Sequence, residues 1–256
     1  GLAERGVETV LATMGVALSD AQRAAAERVP GLRIAESAYR LEWMEDPWED
    51  VARAGAWLLR LRDRVRPDLV HLNGYAHGAL DWGLPLLVVG HSCVLSWWRA
   101  VRGVEAPPEW DRYRRAARAG LQAADLVVAP TAAMLGALVA HYGPLGETAV
   151  IPNGARVLEY GAGRKEPLVF SAGRVWDEAK NVAALEDVAP RLPWPVYVAG
   201  QQRHPDGGLR RPRALRCLGP LPREELAAWL ARAAVYAAPA RYEPFGLTAL
   251  EAGLSG

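Results

Sequence analysis

The sequence predicts an α/β protein with two domains, each built on a parallel β-sheet. Apolar segments of strand length alternate with segments of helical periodicity, and the connections between them are short. The chain has 256 residues, near the size at which a single hydrophobic core stops growing. Residues 153–167 interrupt the pattern with glycine, proline and charge, as interdomain linkers do. We therefore expect an N-terminal domain over 1–152, a linker over 153–167 and a C-terminal domain over 168–256.

The first domain is expected to begin with a strand and a capped helix. Ser19 precedes a short helical segment and provides the side-chain oxygen that a helix N-terminus favours. Apolar residues recur at helical spacing over 48–66, and Pro67 marks the end of that helix. The predicted strands are 8–14, 32–36, 68–72, 85–90, 125–129 and 148–151, and the predicted helices are 20–28, 48–66, 107–124 and 131–142.

The same alternation restarts in the second domain. Its predicted strands are 167–171, 195–199, 214–218 and 234–238, and its predicted helices are 181–188, 222–233 and 245 to about 252. Residues 1–5 resemble the last turn of a helix, and the chain ends where a doubly wound sheet needs another strand. We therefore expect the chain to be truncated at both ends.

Composition excludes several classes of function. Thirty basic and 29 acidic residues leave a net charge of +1, which gives no general attraction to nucleic acid. Apolar runs are too short to span a bilayer. Contact with a membrane would be at most peripheral, through the basic segment 112–118 and Trp97–Trp98, although a solvated helix is the preferred interpretation. Cys93 and Cys217 form no disulfide framework, which predicts a cytoplasmic protein. Abundant Ala, Arg, Gly and Pro suggest a GC-rich bacterial genome.

The segment 241–251 carries the strongest functional signal. It follows a predicted strand and opens a helix, so the backbone N–H groups of Phe245, Gly246 and Leu247 would point toward an anion. Gly246 would permit a phosphate to approach closely. Glu251, two turns along the helix, can accept hydrogen bonds from vicinal hydroxyls, and Glu243 lies in the preceding loop. The alternative interpretation is a capped helix with solvated carboxylates.

A second segment, 171–181, also connects a strand to a helix, where α/β sheets bind phosphate groups. Arg174 and Lys180 would bring two positive charges to this loop. Lys180 is one of only two lysines among the thirty basic residues, which indicates that a compact ammonium is needed there. The alternative interpretation is an ordinary surface cation near the start of a helix.

Together these segments resemble the retaining GT-B glycosyltransferases of family 4, glycosyl transferases group 1. Arg174 and Lys180 match the diphosphate-binding pair of that family, and Glu243 and Glu251 match its donor signature with Phe-Gly-Leu between them. Residues 150–154 resemble the segment that ends its N-terminal domain. The resemblance covers most of the chain and implies two Rossmann-like domains whose parallel sheets face a central cleft.

The resemblance also implies roles for individual residues. The catalytic candidates are His91, Arg174, Lys180 and Glu243. The donor-binding candidates are Gly173, Leu218, Gly219, Phe245, Gly246, Leu247 and Glu251. The candidates for the acceptor side, which follow the strand at 68–72, are His71, Asn73, Tyr75 and His77. The two cations would hold the departing diphosphate, Glu251 the ribose, and the backbone at 218–219 the base, while His91 would face the donor hexose. The glycine-rich loop that the family carries after its first strand is not found in this sequence.

These features predict a retaining transferase that moves a hexose from a nucleotide-diphosphate sugar to an unidentified hydroxyl acceptor. No metal is expected, because the sequence has no Asp-x-Asp and its His and Cys residues lack the spacing of zinc ligands. No other cofactor is implied. Two alternatives stay open: a nucleotide-sugar-binding domain without turnover, and a sugar-nucleotide epimerase or hydrolase on the same fold. An NAD-dependent dehydrogenase is disfavoured, since no Gly-x-Gly-x-x-Gly follows a strand.

Overall fold

The computed structural model describes residues 2–157, 160–204 and 207–256. The chain divides into two compact units. Unit 1 comprises Gly1–Gly90, Pro107–Ala129 and Leu135–Val150. Unit 2 comprises His91–Ala106, Pro130–Met134 and Ile151–Gly256. The domain and linker boundaries expected from the sequence stay a prediction.

Unit 1 contains two parallel sheets. Strands β1 (Thr9–Thr13) and β2 (Leu32–Glu36) form the smaller sheet. The larger sheet has four strands in sequential order, which are β3 (Val70–Leu72), β4 (Leu86–Val89), β5 (Leu126–Ala129) and β6 (Glu147–Val150). The two central strands are wholly apolar and largely buried, as is typical of the central strands of a parallel sheet.

The helices of unit 1 follow local sequence signals. Its helix α1 (Asp20–Glu27) begins with a capping box, in which Ser19 and Gln22 exchange side-chain to backbone hydrogen bonds. Helix α2 (Trp48–Val65) buries one apolar face and ends at Arg66, which has φ of 53° and precedes Pro67. Helix α4 (Asp111–Ala123) follows a 3-10 turn at Pro108–Trp110, and α5 (Ala132–Tyr142) follows β5.

A close backbone contact joins α4 to a 3-10 helix at Ala76–Ala79. A Cβ atom on Gly120 would lie 1.7 Å from the carbonyl oxygen of Tyr75, and one on Gly78 would lie 2.4 Å from the carbonyl oxygen of Gly120. Only glycine at both positions allows the two segments to pack at this distance. The contact fixes the loop that follows β3.

Unit 2 contains one parallel sheet with strand order β10-β7-β8-β9. The strands are β7 (Glu166–Ala172), β8 (Val196–Ala199), β9 (Arg216–Gly219) and β10 (Ala233–Tyr236). Val169 belongs to a buried cluster with Val182 and Val198, whereas Leu168 and Phe170 belong to a second cluster with residues of helix α7 (Arg223–Arg232) and of the chain before β7. Because successive strand residues point to opposite faces, both faces of this sheet are covered.

The helices of unit 2 are α3 (Val94–Arg102), α6 (Val182–Val188), α7 (Arg223–Arg232) and α8 (Leu247–Leu254). Further 3-10 turns occur at Ala3–Arg5 in unit 1 and at Glu178–Lys180 and Ala189–Arg191 in unit 2. No helix in the described part of the chain is long and apolar enough to cross a membrane.

The parallel α/β character predicted from the sequence is confirmed, although several elements differ from their predicted bounds. Helix α3 was not predicted, and β3 is three residues long rather than five. The last helix begins at Leu247 rather than at 245, because Gly246 has φ of 84° and turns the chain into the helix from a left-handed conformation.

Candidate functional site

The carboxyl ends of β7, β8 and β9 meet through backbone hydrogen bonds. Gly173 N–H donates to Ala199 O at 2.9 Å, and Gly200 N–H donates to Gly219 O at 2.8 Å. Gly200 has φ of 141°, and a Cβ atom there would lie 1.7 Å from the carbonyl oxygen of Gly173. Gly200 is therefore required for this close approach, although the sequence pattern gave no reason to select it.

A cavity opens at the carboxyl ends of β7 and β10. Its lining comprises Ser171, Ala172, Gly173, Lys180, Val182, Tyr236, Ala238, Pro239, Ala240 and Glu243. Lys180 Nζ donates to Glu243 Oε2 at 2.5 Å, so the ammonium and the carboxylate are paired in this structure. The Lys180 stem packs over Gly173, where a Cβ atom would lie 3.3 Å from Cγ and Cδ of the lysine. The structure thus brings three predicted site residues together.

Arg174 lies beside this cavity without lining it. Its side chain is 56% exposed, and its Nη2 donates to Asp177 Oδ2 at 2.7 Å. Asp177 is buried and its Oδ1 also accepts from Ala179 N–H at 2.9 Å, at the start of the turn that carries Lys180. Asp177 therefore orients both predicted cations, one directly and one through the turn. Sequence reasoning missed Asp177, although its position three residues after Arg174 was a usable signal.

The loop that carries Glu243 leads into helix α8. Gly246 is the N-cap residue of that helix, Phe245 is partly buried, and Leu247 is exposed at the first helical position. Glu251 lies in the second turn and is buried. Its Oε1 accepts a hydrogen bond from the Tyr160 hydroxyl at 2.7 Å. The structure therefore has the predicted succession of strand, loop and helix over this segment.

Tyr236 is a cavity-lining residue that the sequence analysis did not select. Burial raises the pKa of its hydroxyl, and the carboxylates of Glu243 and Glu251 raise that pKa further. Hydrogen bonds with Thr248 and with the Ala172 backbone oppose these effects. The phenol therefore stays protonated near neutral pH and can donate a hydrogen bond beside the two glutamates.

Leu218 and Gly219 end strand β9. Leu218 is partly buried against the cluster that contains Phe170. Gly219 has φ of 75°, and a Cβ atom placed on it would have no neighbour within 4 Å. The space beside this backbone is therefore open at the carboxyl edge of the sheet.

His91 is exposed in the segment between β4 and α3. Two residues later, Cys93 N–H donates to Tyr242 Oη at 3.0 Å, which ties this segment to the residue before Glu243. The Tyr242 side chain is partly buried, and this burial raises the pKa of its hydroxyl to about 12. Arg102, at the end of α3, pairs with Glu178 at 3.0 Å. Within unit 2, the segment that begins at His91 is thus attached both to the loop that carries Lys180 and to the loop that carries Glu243.

The four residues predicted for the acceptor side divide into two pairs. His71 and Asn73 are exposed and share a side-chain hydrogen bond, and burial of the imidazole lowers the pKa of His71. Tyr75 and His77 are buried. Tyr75 packs edge-on against Tyr142 with ring centres 6.2 Å apart, and His77 Nε2 is 3.0 Å from the Val51 carbonyl oxygen. Their acceptor role stays a prediction.

Glu42 is a buried carboxylate that the sequence analysis did not select. It accepts hydrogen bonds from Tyr75 N–H at 2.9 Å and Ala76 N–H at 2.6 Å. Burial raises its pKa, and the two backbone donors oppose the shift. Glu42 therefore holds the start of the loop that carries Tyr75 and His77.

Among residues 2–157, 160–204 and 207–256, no three His, Cys, Asp or Glu side chains cluster in a way that could hold a metal ion.

Family models match nearly the whole chain. The model described as Glycosyltransferase Family 4 matches residues 1–157, and the model described as Glycosyl transferases group 1 matches residues 166–256. No curated protein sequence matches the chain significantly.

Solved structures share the fold at low sequence identity. Sucrose-phosphate synthase from Thermosynechococcus elongatus has a TM-score of 0.74 and 19% identity, over 98% of this chain and 70% of that one. HepE from Anabaena, solved with UDP and glucose, has a TM-score of 0.69 and 18% identity, over 96% of this chain and 70% of that one. A glycosyltransferase from Rickettsia africae has a TM-score of 0.65 and 12% identity, over 99% and 70%.

These likenesses confirm the predicted α/β fold class of GT-B type. The first family model alone spans more than half of the residues. The second model covers the part of the chain that carries Arg174, Lys180, Glu243 and Glu251. The chain therefore belongs to glycosyltransferase family 4.

Proposed function

We propose that the protein is a retaining glycosyltransferase that moves a hexose from a nucleotide-diphosphate sugar to a hydroxyl acceptor without a divalent metal. The observation that carries the proposal is the Lys180–Glu243 pair, which lines a cavity at the carboxyl edge of a parallel sheet. Ligands bind at this edge in α/β proteins. The solved structure of HepE with UDP and glucose supports a nucleotide sugar as the donor class.

Charge neutralisation of the leaving diphosphate is the main catalytic requirement. As the glycosidic bond breaks, negative charge grows on the diphosphate, and preorganised donors lower the barrier most when they face that charge. Lys180 and Arg174 supply two cations, and the N-terminus of α8 after Gly246 supplies backbone N–H groups. These groups would take the place of a metal ion.

The Lys180–Glu243 pair suggests how the site changes when donor binds. A diphosphate would compete with Glu243 for the ammonium, since Lys180 Nζ and Glu243 Oε2 are only 2.5 Å apart in this structure. The displaced carboxylate would then be available to accept a hydroxyl hydrogen bond from the donor sugar. Glu243 would thus bind the sugar only when a diphosphate has engaged the lysine.

Binding of the nucleoside part of the donor is assigned to residues near the Lys180–Glu243 pair. Glu251 would accept hydrogen bonds from the ribose hydroxyls, and the backbone at Leu218 and Gly219 would meet the base. The open space beside Gly219 supports this assignment. The close approach of Gly173 to Ala199 brings the diphosphate loop beside the strand that precedes the base-binding edge.

In the transfer itself, the acceptor oxygen would form a bond to the anomeric carbon on the face from which the diphosphate leaves. The donor phosphate would take the acceptor proton, so configuration is retained and the diphosphate departs with the bonding electrons. His91 would face the hexose, and His71, Asn73, Tyr75 and His77 would contribute to the acceptor side. We assign the acceptor side to residues 1–152, the donor side to 168–256 and a cytoplasmic location to the protein.

A donor panel tests the reaction. The protein is incubated with UDP-glucose, GDP-glucose and ADP-glucose, using p-nitrophenyl hexosides as acceptors, and both nucleotide release and glycosylated product are measured. Product with retained anomeric configuration in the presence of EDTA supports the proposal. Release of free glucose alone would favour a hydrolase, and donor binding without any release would favour a binding domain; either result contradicts a transferase.

Lys180 provides the sharpest test of the mechanism. We expect Lys180→Ala to lower the turnover number by about 10²-fold, as the loss of one preorganised electrostatic donor does, with a smaller loss of donor affinity. Lys180→Arg should recover part of the rate, because the guanidinium is bulkier and differently directed. Lys165→Ala is the matched control, since Lys165 Nζ donates to the carbonyl oxygens of Leu230 and Ser255 and the residue does not line the cavity. An unchanged turnover number in Lys180→Ala contradicts the leaving-group role.

A further inference from the structure

Tyr160 joins the chain before β7 to the second glutamate of the predicted donor site. Its hydroxyl donates to Glu251 Oε1 at 2.7 Å. Both side chains are nearly inaccessible, with relative exposures of 8% for Tyr160 and 7% for Glu251. A carboxylate in such surroundings needs hydrogen-bond donors, because burying it without them is costly. The Tyr160 hydroxyl supplies one, at a distance typical of a bond to an ionised acceptor.

The phenol is held in place independently of Glu251. Tyr160 packs in the buried cluster that contains Leu168, Phe170 and Leu230. Burial raises the pKa of its hydroxyl, the hydrogen bond to Glu251 raises it further, and a hydrogen bond with Arg223 opposes both. Tyr160 therefore stays protonated near neutral pH and acts as a fixed donor.

The backbone of Glu251 is held by helix α8. Ser255 Oγ donates to the Glu251 carbonyl oxygen at 2.9 Å, one turn further along the chain. Within the described residues, the side chain accepts its only hydrogen bond at Oε1. Oε1 is thus held by Tyr160, whereas Oε2 accepts no hydrogen bond from the described residues.

We infer that Tyr160 is a positioning residue for nucleotide binding: it orients the Glu251 carboxylate so that Oε2 meets the vicinal hydroxyls of the ribose. The inference rests on the proposed function, because Glu251 is the ribose contact there. It adds a residue outside the family motif. A carboxylate whose rotamer is already fixed loses less freedom when the nucleotide binds, which raises affinity without a new contact.

The test is a set of binding measurements by calorimetry with UDP, GDP and ADP, and with the 2′-deoxy and 3′-deoxy forms of whichever binds. We expect Tyr160→Phe to weaken nucleotide binding by roughly tenfold, the usual scale for one hydrogen bond to a charged group. It should also abolish the preference for ribose over deoxyribose. This preference is a ratio of two affinities, so it does not depend on the fraction of folded protein.

Two variants serve as references. Tyr197→Phe removes another phenol of the same unit, whose hydroxyl accepts from Arg216 at 2.6 Å, and should leave nucleotide affinity unchanged. Tyr160→Phe combined with Glu251→Ala should bind no more weakly than Glu251→Ala alone, because both changes remove the same contact.

The outcomes separate this inference from the proposed function. Wild-type protein that binds none of the three nucleotides overturns both. A wild-type preference for ribose that Glu251→Ala abolishes and Tyr160→Phe retains overturns the role of Tyr160 alone. A Tyr160→Phe protein that does not fold also overturns it, since the hydroxyl would then serve the fold rather than the ligand.

Discussion

In the described part of the chain three carboxylates are buried, and each is held by a different set of donors. Glu42 accepts from two backbone N–H groups, Asp177 from a backbone N–H and Arg174, and Glu251 from the Tyr160 hydroxyl. Buried charged groups persist only when such partners are present, because the loss of hydration is otherwise uncompensated. Each of these bonds therefore fixes a loop or a side chain next to a predicted site.

Glu42 makes the stability of unit 1 depend on pH. Its pKa is raised in the folded protein by burial, so the folded state binds a proton more tightly than the unfolded state does. The stabilisation from this proton is complete below the unfolded pKa of about 4.3 and is lost as pH rises through the raised folded pKa. We expect the free energy of unfolding of wild type to fall over this range relative to that of Glu42→Gln, as measured by urea titrations from pH 4 to 8. A constant difference between the two proteins contradicts this.

The motif residues of the site could be predicted from the sequence, whereas their partners could not. Lys180 and Glu243 were selected from local patterns, and they meet in the structure across 63 positions of chain. Tyr160 and Gly200 were missed because neither carries a local signal. Tyr160 lies in a segment interpreted as a linker, and the need for glycine at 200 arises only from the approach of Gly173. Such requirements come from tertiary contacts, which composition and spacing do not encode.

At the scale of elements, glycines decide how closely α4 can pack on the 3-10 helix at Ala76–Ala79. We expect Gly120→Ala to destabilise the protein by about 1–3 kcal/mol, because its Cβ would lie 1.7 Å from the Tyr75 carbonyl oxygen and force a backbone shift. Gly136→Ala in α5 is the matched control, since a Cβ there meets nothing within 4 Å. This second change should stabilise the protein by roughly 0.5–1 kcal/mol. Urea unfolding of both variants checks the signs, and equal effects would contradict the packing argument.

Element type was predictable wherever the hydrophobic pattern was long or strictly apolar. The strand β2 and the start of α2 coincide with their predicted positions. Helix α3 was missed because its N-cap position is occupied by Cys93, which is not a favoured N-cap residue; the Cys93 thiol accepts from Ser96 N–H at 3.3 Å. Strand β3 is shorter than predicted because only Val70–Leu72 pair with β4. A thiol cap and the extent of pairing are decided by the fold rather than by local propensity.

At the scale of the whole molecule, compact units do not follow the order of the chain. His91–Ala106 and Pro130–Met134 belong to unit 2, although they follow strands β4 and β5 of unit 1. Thr131 Oγ1 donates to Pro244 O at 3.0 Å, and Cys93 N–H donates to Tyr242 Oη. Two segments from the first half of the chain are thus attached to the loop that carries Glu243.

The grouping of the donor-site residues in one unit leads to a prediction for hydrogen exchange. Residues 171–181, 216–219 and 241–251 all lie in unit 2, and they carry the proposed diphosphate, base and ribose contacts. A nucleotide at 100 times its Kd stabilises the bound form by about 2.7 kcal/mol. Amide exchange that requires the ligand to leave first is then slowed by about 100-fold. We expect UDP, or whichever of GDP and ADP binds, to protect these three ranges in mass-spectrometric exchange. The central strands β4 and β5 in unit 1 should exchange as before.

The corresponding nucleoside, which has the base and ribose but no diphosphate, is the control. It should give little protection at 171–181, because Lys180 and Arg174 would have no anion to bind. Protection confined to unit 1 would show that the nucleotide binds elsewhere, and equal protection by nucleoside and nucleotide would remove the assigned role of the two cations.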